Sequence, residues 1–255
     1  MENANKALLI SAGILLAIMI LSLLVIFWGR LSGYYSSKHD AKIIEQDAKF
    51  NEQFDNYSGE TIRGNELMSV MNRVVNYNTT IADLEKYDKV IMSVDFKGYQ
   101  KGNNFIYSST DASIFSGIIG RDNKLTNTEA SDANLEKMTN LPSTLCSNSG
   151  ISNMTDAKLQ KLSAEIYNIC DDNADVNTRN RKLQNILGYS ESQVKNMSAD
   201  TLSKIREVTK KYYQYTQLKR AMFKCTSVEH NTSSNGRVNK ITFEIVVENG
   251  NVKFD

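Results

Sequence analysis

The sequence is poor in the residues that most catalytic and metal sites require. Its 255 residues include two histidines, three cysteines, one proline and one tryptophan. The cysteines and histidines do not have the spacing of metal ligands. Phosphate-binding glycine loops and the Gly-x-Ser-x-Gly and His-Glu-x-x-His motifs are also absent. We therefore expect a protein that is not an enzyme and that carries no cofactor or metal.

Net charge is almost absent as well. The chain has 30 basic and 29 acidic side chains, for a formal net charge of +1. Proteins that bind nucleic acid through its phosphates concentrate lysine and arginine. The charge balance therefore predicts no nucleic-acid partner.

The apolar residues are concentrated in one N-terminal run, residues 7–28. The run contains no charged residue, and about 22 residues form roughly 33 Å of helix, enough to cross a bilayer core. It is longer than the apolar core of a typical signal peptide and ends at Phe27-Trp28, without a small-residue cleavage site. These features predict an uncleaved transmembrane helix after a short cytoplasmic N-terminus, residues 1–6.

The flanking charges say little about orientation, because Glu2 and Lys6 precede the run and Arg30 and Lys38 follow it. Only six residues precede the run, whereas a long polar region follows it. We therefore predict a single-pass protein of the cell membrane with an extracytoplasmic C-terminal domain.

Small residues in the run are candidates for helix packing. Ser11, Gly13 and Ala17 would allow close backbone approach to a second membrane helix. Small residues are also common in membrane helices that have no partner, and the sequence leaves both interpretations open.

Residues 29–57 predict a juxtamembrane amphipathic helix that continues the transmembrane helix. Its apolar stripe includes Ile43, Phe50 and Phe54, at helical spacing. Phe50 and Phe54 are therefore candidates for packing on the domain that follows.

The remainder predicts an α+β fold: a long N-terminal helix, transmembrane and then amphipathic, packed on a small antiparallel β-sheet with a helical insertion. The strand predicted at residues 90–96 alternates in polarity, and Phe105–Tyr107 are its predicted hairpin partner. The C-terminal strands form a predicted antiparallel meander with an Asn-Gly turn at 249–250. The predicted parts are a first α+β part at 58–123, a helical insertion at 124–220 and a C-terminal β-meander at 221–255.

Helices are predicted in the insertion at 134–141, 155–170, 177–187 and 192–197, and beyond an N-cap at Ser198.

Two features of the insertion have open interpretations. Cys146 and Cys170 form a disulfide if the domain is exported, or all three cysteines are reduced. Tyr212, Tyr213 and Tyr215 either line a ligand pocket or divide between the core and an exposed helix face.

The layout resembles that of type IV pilins and pseudopilins: a short polar leader, an apolar helix that continues into an amphipathic half, and a small antiparallel sheet. The opening MENANKALLISAGILLAIMILSL, the phrase FNEQFDNYSG at 50–59 and the ending at 223–243 are similar to uncharacterised single-span membrane proteins of Gram-positive anaerobes. The resemblance covers about residues 1–110 and 212–247. Ala12 occupies the position where pilins usually carry a glutamate.

The resemblance implies a pilin-like subunit or an accessory of a cell-surface or secretion assembly. The expected partners are the lipid bilayer, further copies of the chain and pilus-assembly proteins. The alternative is a membrane-tethered ligand-binding or sensor domain.

Overall fold

The computed structural model describes residues 2–82, 87–96, 114–115, 118–120, 122–232 and 236–255. The chain divides into two compact units, Met1–Gln53 and Phe54–Asp255. The first unit is helical, and the second combines a small sheet with several helices. The α+β class predicted from the sequence is confirmed.

Helix α1, Glu2–Asp55, forms the first unit and ends just inside the second. In the described part of the chain it is the one helix that is long and apolar enough to cross a membrane. The helix continues through Gly29 and Gly33. The hydroxyls of Ser11 and Ser22 donate to carbonyl oxygens of their own helix, at 2.9 and 2.8 Å. Such internal bonds satisfy polar groups that lipid cannot.

The second unit contains a five-stranded sheet in the order β1-β4-β5-β2-β3. β2 and β5 are parallel, and the other neighbouring pairs are antiparallel. The predicted purely antiparallel sheet is therefore wrong. Parallel strands require a long connection between them, and the chain between β2 and β5 is long enough to place β2 beside β5 in the same direction. The strands are β1 Thr61–Arg63, β2 Ile91–Asp95, β3 Lys124–Thr126, β4 Met222–His230 and β5 Val238–Ile245.

The predicted partner of β2, Phe105–Tyr107, lies outside the described residues. Among those that are described, the antiparallel neighbour of β2 is β3, with Val94 opposite Leu125. β3 was not predicted as a strand, because it lies at the start of the predicted helical insertion.

The C-terminal residues form a separate hairpin of β6, Val247–Glu248, and β7, Asn251–Val252. Its turn has positive φ angles at Asn249 (53°) and Gly250 (79°), the conformation that makes Asn-Gly favourable in tight hairpins. The predicted antiparallel pairing of β4 and β5 is confirmed. The third strand of the meander instead pairs within this hairpin.

Most helices of the second unit begin within two residues of their predicted positions. The predicted helix 155–170 is divided at Glu165, and the short helix α4, which carries Pro142 in its first turn, was not predicted. The helices are α2 Gly64–Asn76, followed by a π-helical segment Tyr77–Ala82, α3 Ala133–Thr139, α4 Leu141–Ser147, α5 Asp156–Ala164, α6 Ile166–Cys170, α7 Val176–Leu187, α8 Glu191–Lys195 and α9 Ala199–Arg220.

Aromatic side chains fill the core beneath the sheet. Phe96 and Phe223 make an edge-to-face contact with ring centroids 5.8 Å apart, a favourable geometry for aromatic pairs. Phe54 is fully buried within the second unit. Gly64 starts α2 directly against the end of α9, where a Cβ atom would lie 1.9 Å from the carbonyl oxygen of Leu218. This close approach requires glycine.

Candidate functional site

Buried polar side chains are concentrated at one end of the sheet. Four of them, Asn78, Asn127, Asp132 and Arg237, lie around the starts of β2 and β5. A buried polar side chain destabilises the fold unless its hydrogen bonds are made. This end of the sheet is therefore the place where buried polar side chains are most often held in fixed positions by hydrogen bonds. The buried polar side chains in the described ranges are Asp47, Asn78, Asn127, Asp132, Ser149, Ser163, Thr209, Gln214 and Arg237.

Two asparagine side chains hold the backbone that leads into β2. The Asn78 amide donates to the Val90 carbonyl at 3.0 Å, and its oxygen accepts from the Val90 N–H at 2.8 Å. The Asn127 amide donates to the same carbonyl at 3.0 Å, and its oxygen accepts from the Met92 N–H at 2.7 Å. The start of β2 is thus fixed from two sides by side chains.

Asp132 joins these two asparagines. Its Oδ1 accepts from the Asn78 amide at 2.8 Å and from the Asn127 amide at 2.6 Å. Between Asn127 and Asp132 the chain makes a tight turn, closed by two backbone hydrogen bonds between Thr128 and Ser131. The turn presents Glu129 to solvent, and its two flanks are anchored in the polar cluster.

Arg237 holds the segment that precedes β2. Its guanidinium carbon lies 3.6 Å from the centroid of the Tyr87 ring, a close cation–π contact. Its Nη1 donates to the Tyr77 hydroxyl at 3.4 Å, and that hydroxyl donates to the Asp88 carbonyl at 3.4 Å. Burial raises the pKa of Tyr77, and the neighbouring Arg237 opposes this shift. Tyr77 therefore remains a neutral phenol that can both donate and accept.

These anchored segments surround a polar cleft of about 330 Å³. The side-chain amide of Asn231 donates to the Asp88 carboxylate at its edge. The Asn239 oxygen is buried and accepts no hydrogen bond within the described structure. The lining of the cleft combines side chains that donate hydrogen bonds with side chains that accept them. Its lining residues are Tyr87, Asp88, Lys89, Ile91, Glu129, Asn231 and Asn239.

The residues proposed from the sequence for helix packing lie on α1. Ser11, Gly13 and Ala17 are exposed, and an added Cβ at Gly13 would meet no atom within 4 Å. Phe50 and Phe54 also lie on α1. Phe50 belongs to the first unit, and Phe54 is the first residue of the second unit. Helix packing through the three small residues and Phe50 stays a prediction.

The three cysteines are free thiols in the structure, and the Cys146–Cys170 disulfide stays one of the two interpretations of the sequence. Cys170 is buried against α9, where its Sγ donates to the Arg206 carbonyl at 3.6 Å. Burial raises the pKa of Cys170 to about 11, although Lys210 and Arg206 oppose the shift. Burial and the nearby Asp156 also raise the pKa of Cys146. Both thiols therefore stay protonated at neutral pH.

The tyrosines of α9 divide between core and surface. Tyr212 and Tyr215 are buried, with ring centroids 5.8 Å apart, whereas Tyr213 is partly exposed. The Tyr212 hydroxyl donates to Asp156 at 2.7 Å, and burial together with this carboxylate holds the pKa of Tyr212 far above its usual range. The arrangement agrees with the second interpretation of the cluster, a core contact and a helix face.

The residues that line the polar cleft carry no functional signal in the sequence. The chain contains 27 asparagines, so Asn78, Asn127 and Asn239 have no distinguishing signal in the sequence. Asn78 lies just beyond the amphipathic helix α2, and a buried amide side chain is unusual. Its position was a weak signal for a polar cluster. No protein-family model, curated protein or solved structure matches the chain.

Proposed function

We propose that the protein is a membrane-anchored structural or interaction protein. In this proposal α1 holds it in the bilayer, and the second unit is displayed on the extracytoplasmic side. Such a protein would act as a pilin-like subunit or an accessory of a cell-surface or secretion assembly. The observation that supports the proposal is the exposed apolar half of α1.

The large apolar side chains between Leu8 and Leu31 are 40% to 76% exposed, the highest value belonging to Trp28. Removing one such side chain from water stabilises a protein by about 1.5–3 kcal/mol. An apolar helix surface of this length is compatible with a lipid bilayer, because α1 satisfies its own backbone hydrogen bonds. Trp28, Tyr34 and Tyr35 suit the interface between lipid and water.

Membrane fractionation of the full-length protein tests the anchor. We expect the protein to remain in the pellet after alkaline carbonate and to dissolve only in detergent. The double variant Leu16→Lys, Leu23→Lys should move to the soluble fraction, because a lysine costs about 2.5–3.5 kcal/mol at the centre of a span and less toward its ends. Lys6→Leu is the matched control and should stay in the pellet. A wild-type protein that dissolves in carbonate would contradict the anchor.

Labelling of intact cells with a membrane-impermeant maleimide tests the orientation. Asn177→Cys places an exposed thiol on α7, and Asn3→Cys places one before the apolar run. We expect strong labelling at position 177 and none at position 3 until the cells are opened. The wild-type protein, with its protonated native thiols, is the background control. The reverse pattern would overturn the orientation.

Disulfide cross-linking in membranes tests the pilin-like role, which requires self-association. Gly13→Cys and Ala17→Cys share one face of α1, and Leu15→Cys lies on the opposite face. We expect cross-linked dimers at positions 13 and 17 and few at position 15. Equal and weak cross-linking at all three positions would leave the anchor intact but contradict packing through small residues.

The polar cleft favours a second candidate, a membrane-tethered ligand-binding or sensor domain. Small-molecule sites are usually concave and largely preformed, and buried side chains hold the walls of this cleft in place. Anchoring and ligand binding are compatible, and different experiments test them.

A further inference from the structure

We propose that the polar cleft binds a small neutral hydroxylated molecule, of the chemical class of a single sugar residue. The inference rests on the second candidate function, ligand binding, and does not depend on membrane anchoring or self-association. Three properties of the cleft support it: its size, the chemistry of its lining and the way its walls are fixed.

The size of the cleft indicates a small ligand. Its volume of about 330 Å³ is at the lower end of the range for small-molecule sites, about 300–1,000 Å³. A single sugar ring fits this space, whereas a nucleotide or a peptide would extend into solvent.

The lining selects for groups that both donate and accept hydrogen bonds. The side-chain amides of Asn231 and Asn239 belong to the lining, and an amide can both donate and accept. Asp88 and Glu129 supply further acceptors, and Lys89 supplies a donor. A hydroxyl group can serve all of these groups, because it carries one donor and two acceptor positions.

The charges of the lining disfavour ionic ligands. An anion would face the carboxylates of Asp88 and Glu129, and a cation would face the ammonium group of Lys89. The ring of Tyr87 adds an apolar surface of the kind that packs on the C–H groups of a sugar. A neutral polyhydroxylated ligand avoids both repulsions.

Polar contacts fix several of the segments that form the walls of the cleft. Asn127 and Asp132 anchor the turn that carries Glu129. Arg237 holds Tyr87, and the Tyr77 hydroxyl and Asn231 hold Asp88. Fixing the groups in advance lowers the entropy cost of binding a small ligand.

Saturation-transfer NMR on the full-length protein in lipid nanodiscs tests the proposal. The probes are N-acetylglucosamine and methyl glucoside at millimolar concentration, with glucuronate as the anionic comparison and lysine amide as the cationic one. Empty nanodiscs give the blank. We expect ring-proton signals from the two neutral sugars and weaker signals from both ionic probes. A signal from lysine amide alone, or no signal from either neutral sugar, would overturn the proposal.

Variants at position 239 locate the binding. Asn239→Leu removes a hydrogen-bonding amide from the lining and should lower the affinity by roughly fivefold or more, the effect of losing one hydrogen bond. Asn239→Asp keeps an acceptor and should retain more affinity than Asn239→Leu. Asn177→Leu, on the exposed face of α7, is the matched control and should bind as the wild type does. Equal binding by Asn239→Leu and the control would contradict the site.

Glu129→Gln provides a test that does not disturb a buried residue. Its side chain is exposed in the turn, so the fold should persist, and we expect weaker sugar binding because the carboxylate acceptor is lost. Unchanged binding would overturn the assigned role of Glu129. Co-sedimentation with an insoluble glycan then distinguishes two sources of the sugar. If the cleft binds a sugar within a polymer, the protein pellets with the glycan. If it binds a free sugar, the protein stays in the supernatant and binds the soluble sugar there.

Discussion

The side chain of Asn78 and the backbone of Val90 exchange two hydrogen bonds, at 3.0 and 2.8 Å. In an antiparallel pair of strands, two residues directly opposite each other make the same exchange through their backbones. Asn78 therefore acts as one residue of an additional strand, and it fixes Val90 immediately before β2 begins.

Replacement of Asn78 should destabilise the second unit. Asn78→Leu leaves the Val90 N–H without this acceptor, and a buried unsatisfied group costs about 1–3 kcal/mol. Asn78→Asp should cost more at neutral pH, because a second carboxylate would lie beside Asp132. Urea unfolding measures both variants. Asn76→Leu, at an exposed position two residues earlier, should change the free energy of unfolding little.

Gly64→Ala tests the close approach of α2 and α9. The added methyl group would lie 1.9 Å from the Leu218 carbonyl oxygen, so one of the two backbones must shift. Overpacking of this kind costs about 1–3 kcal/mol and sometimes more. We expect a clear drop in melting temperature, whereas Ser69→Ala, on the exposed side of α2, should melt near the wild type. Equal melting temperatures would contradict the close approach.

Phe54→Ala tests the first residue of the second unit. The ring is fully buried, and truncation of a buried aromatic side chain costs about 3–5 kcal/mol. Lys49→Ala should have little effect, because Lys49 is exposed and makes only a surface ion pair with Glu45. If thermal melting of the two full-length variants is the same, Phe54 does not contribute to the core.

The Cys170 thiol predicts a loss of stability at alkaline pH. Its pKa is raised from 9.0 to about 11 by burial, so the folded state keeps the proton to a higher pH than the unfolded state does. The stabilisation is complete below about pH 9 and is lost as the pH rises toward 11. Urea unfolding across this interval should show a smaller pH dependence in Cys170→Ala than in the wild type, since other buried groups titrate in both.

Thiol counting tests the redox state of the cysteines. Without reductant, an alkylating reagent in denaturant should modify Cys146, Cys170 and Cys225, because all three are free in the structure. In the folded protein the reaction should be slow, because only the thiolate is nucleophilic and burial raises all three pKa values. Recovery of a linked peptide containing Cys146 and Cys170 would instead support the disulfide, the other interpretation that the sequence leaves open.

The elements whose signal is local were predicted well from the sequence. The apolar run predicted α1, the capping residue Ser198 predicted the start of α9, and Asn249-Gly250 predicted the last hairpin. Each depends on neighbours within a few residues. The Ser198 side chain accepts from the Thr201 N–H at 3.2 Å, which is the interaction that makes serine a frequent cap.

The elements that depend on distant residues were not predicted. β3 has three residues and little periodicity of its own, and it is a strand because β2 lies beside it. The polar cleft brings together residues from near positions 88, 129 and 239, and no sequence pattern links these positions. The abundance of asparagine also hid the few amides that are buried.

The position of β5 in the sheet sets an order for folding. β5 lies between β4 and β2, and its partner residues Ile91 and Lys240 are 149 positions apart. Closing a contact of this span is slow compared with forming a local helix. During synthesis, β2 and β3 can therefore pair before the sheet is complete, but they join β1 and β4 only after Ile245 has been made. A chain interrupted before Val238 would have all its helices and no continuous sheet, and it would expose the unpaired edge of β2 to aggregation.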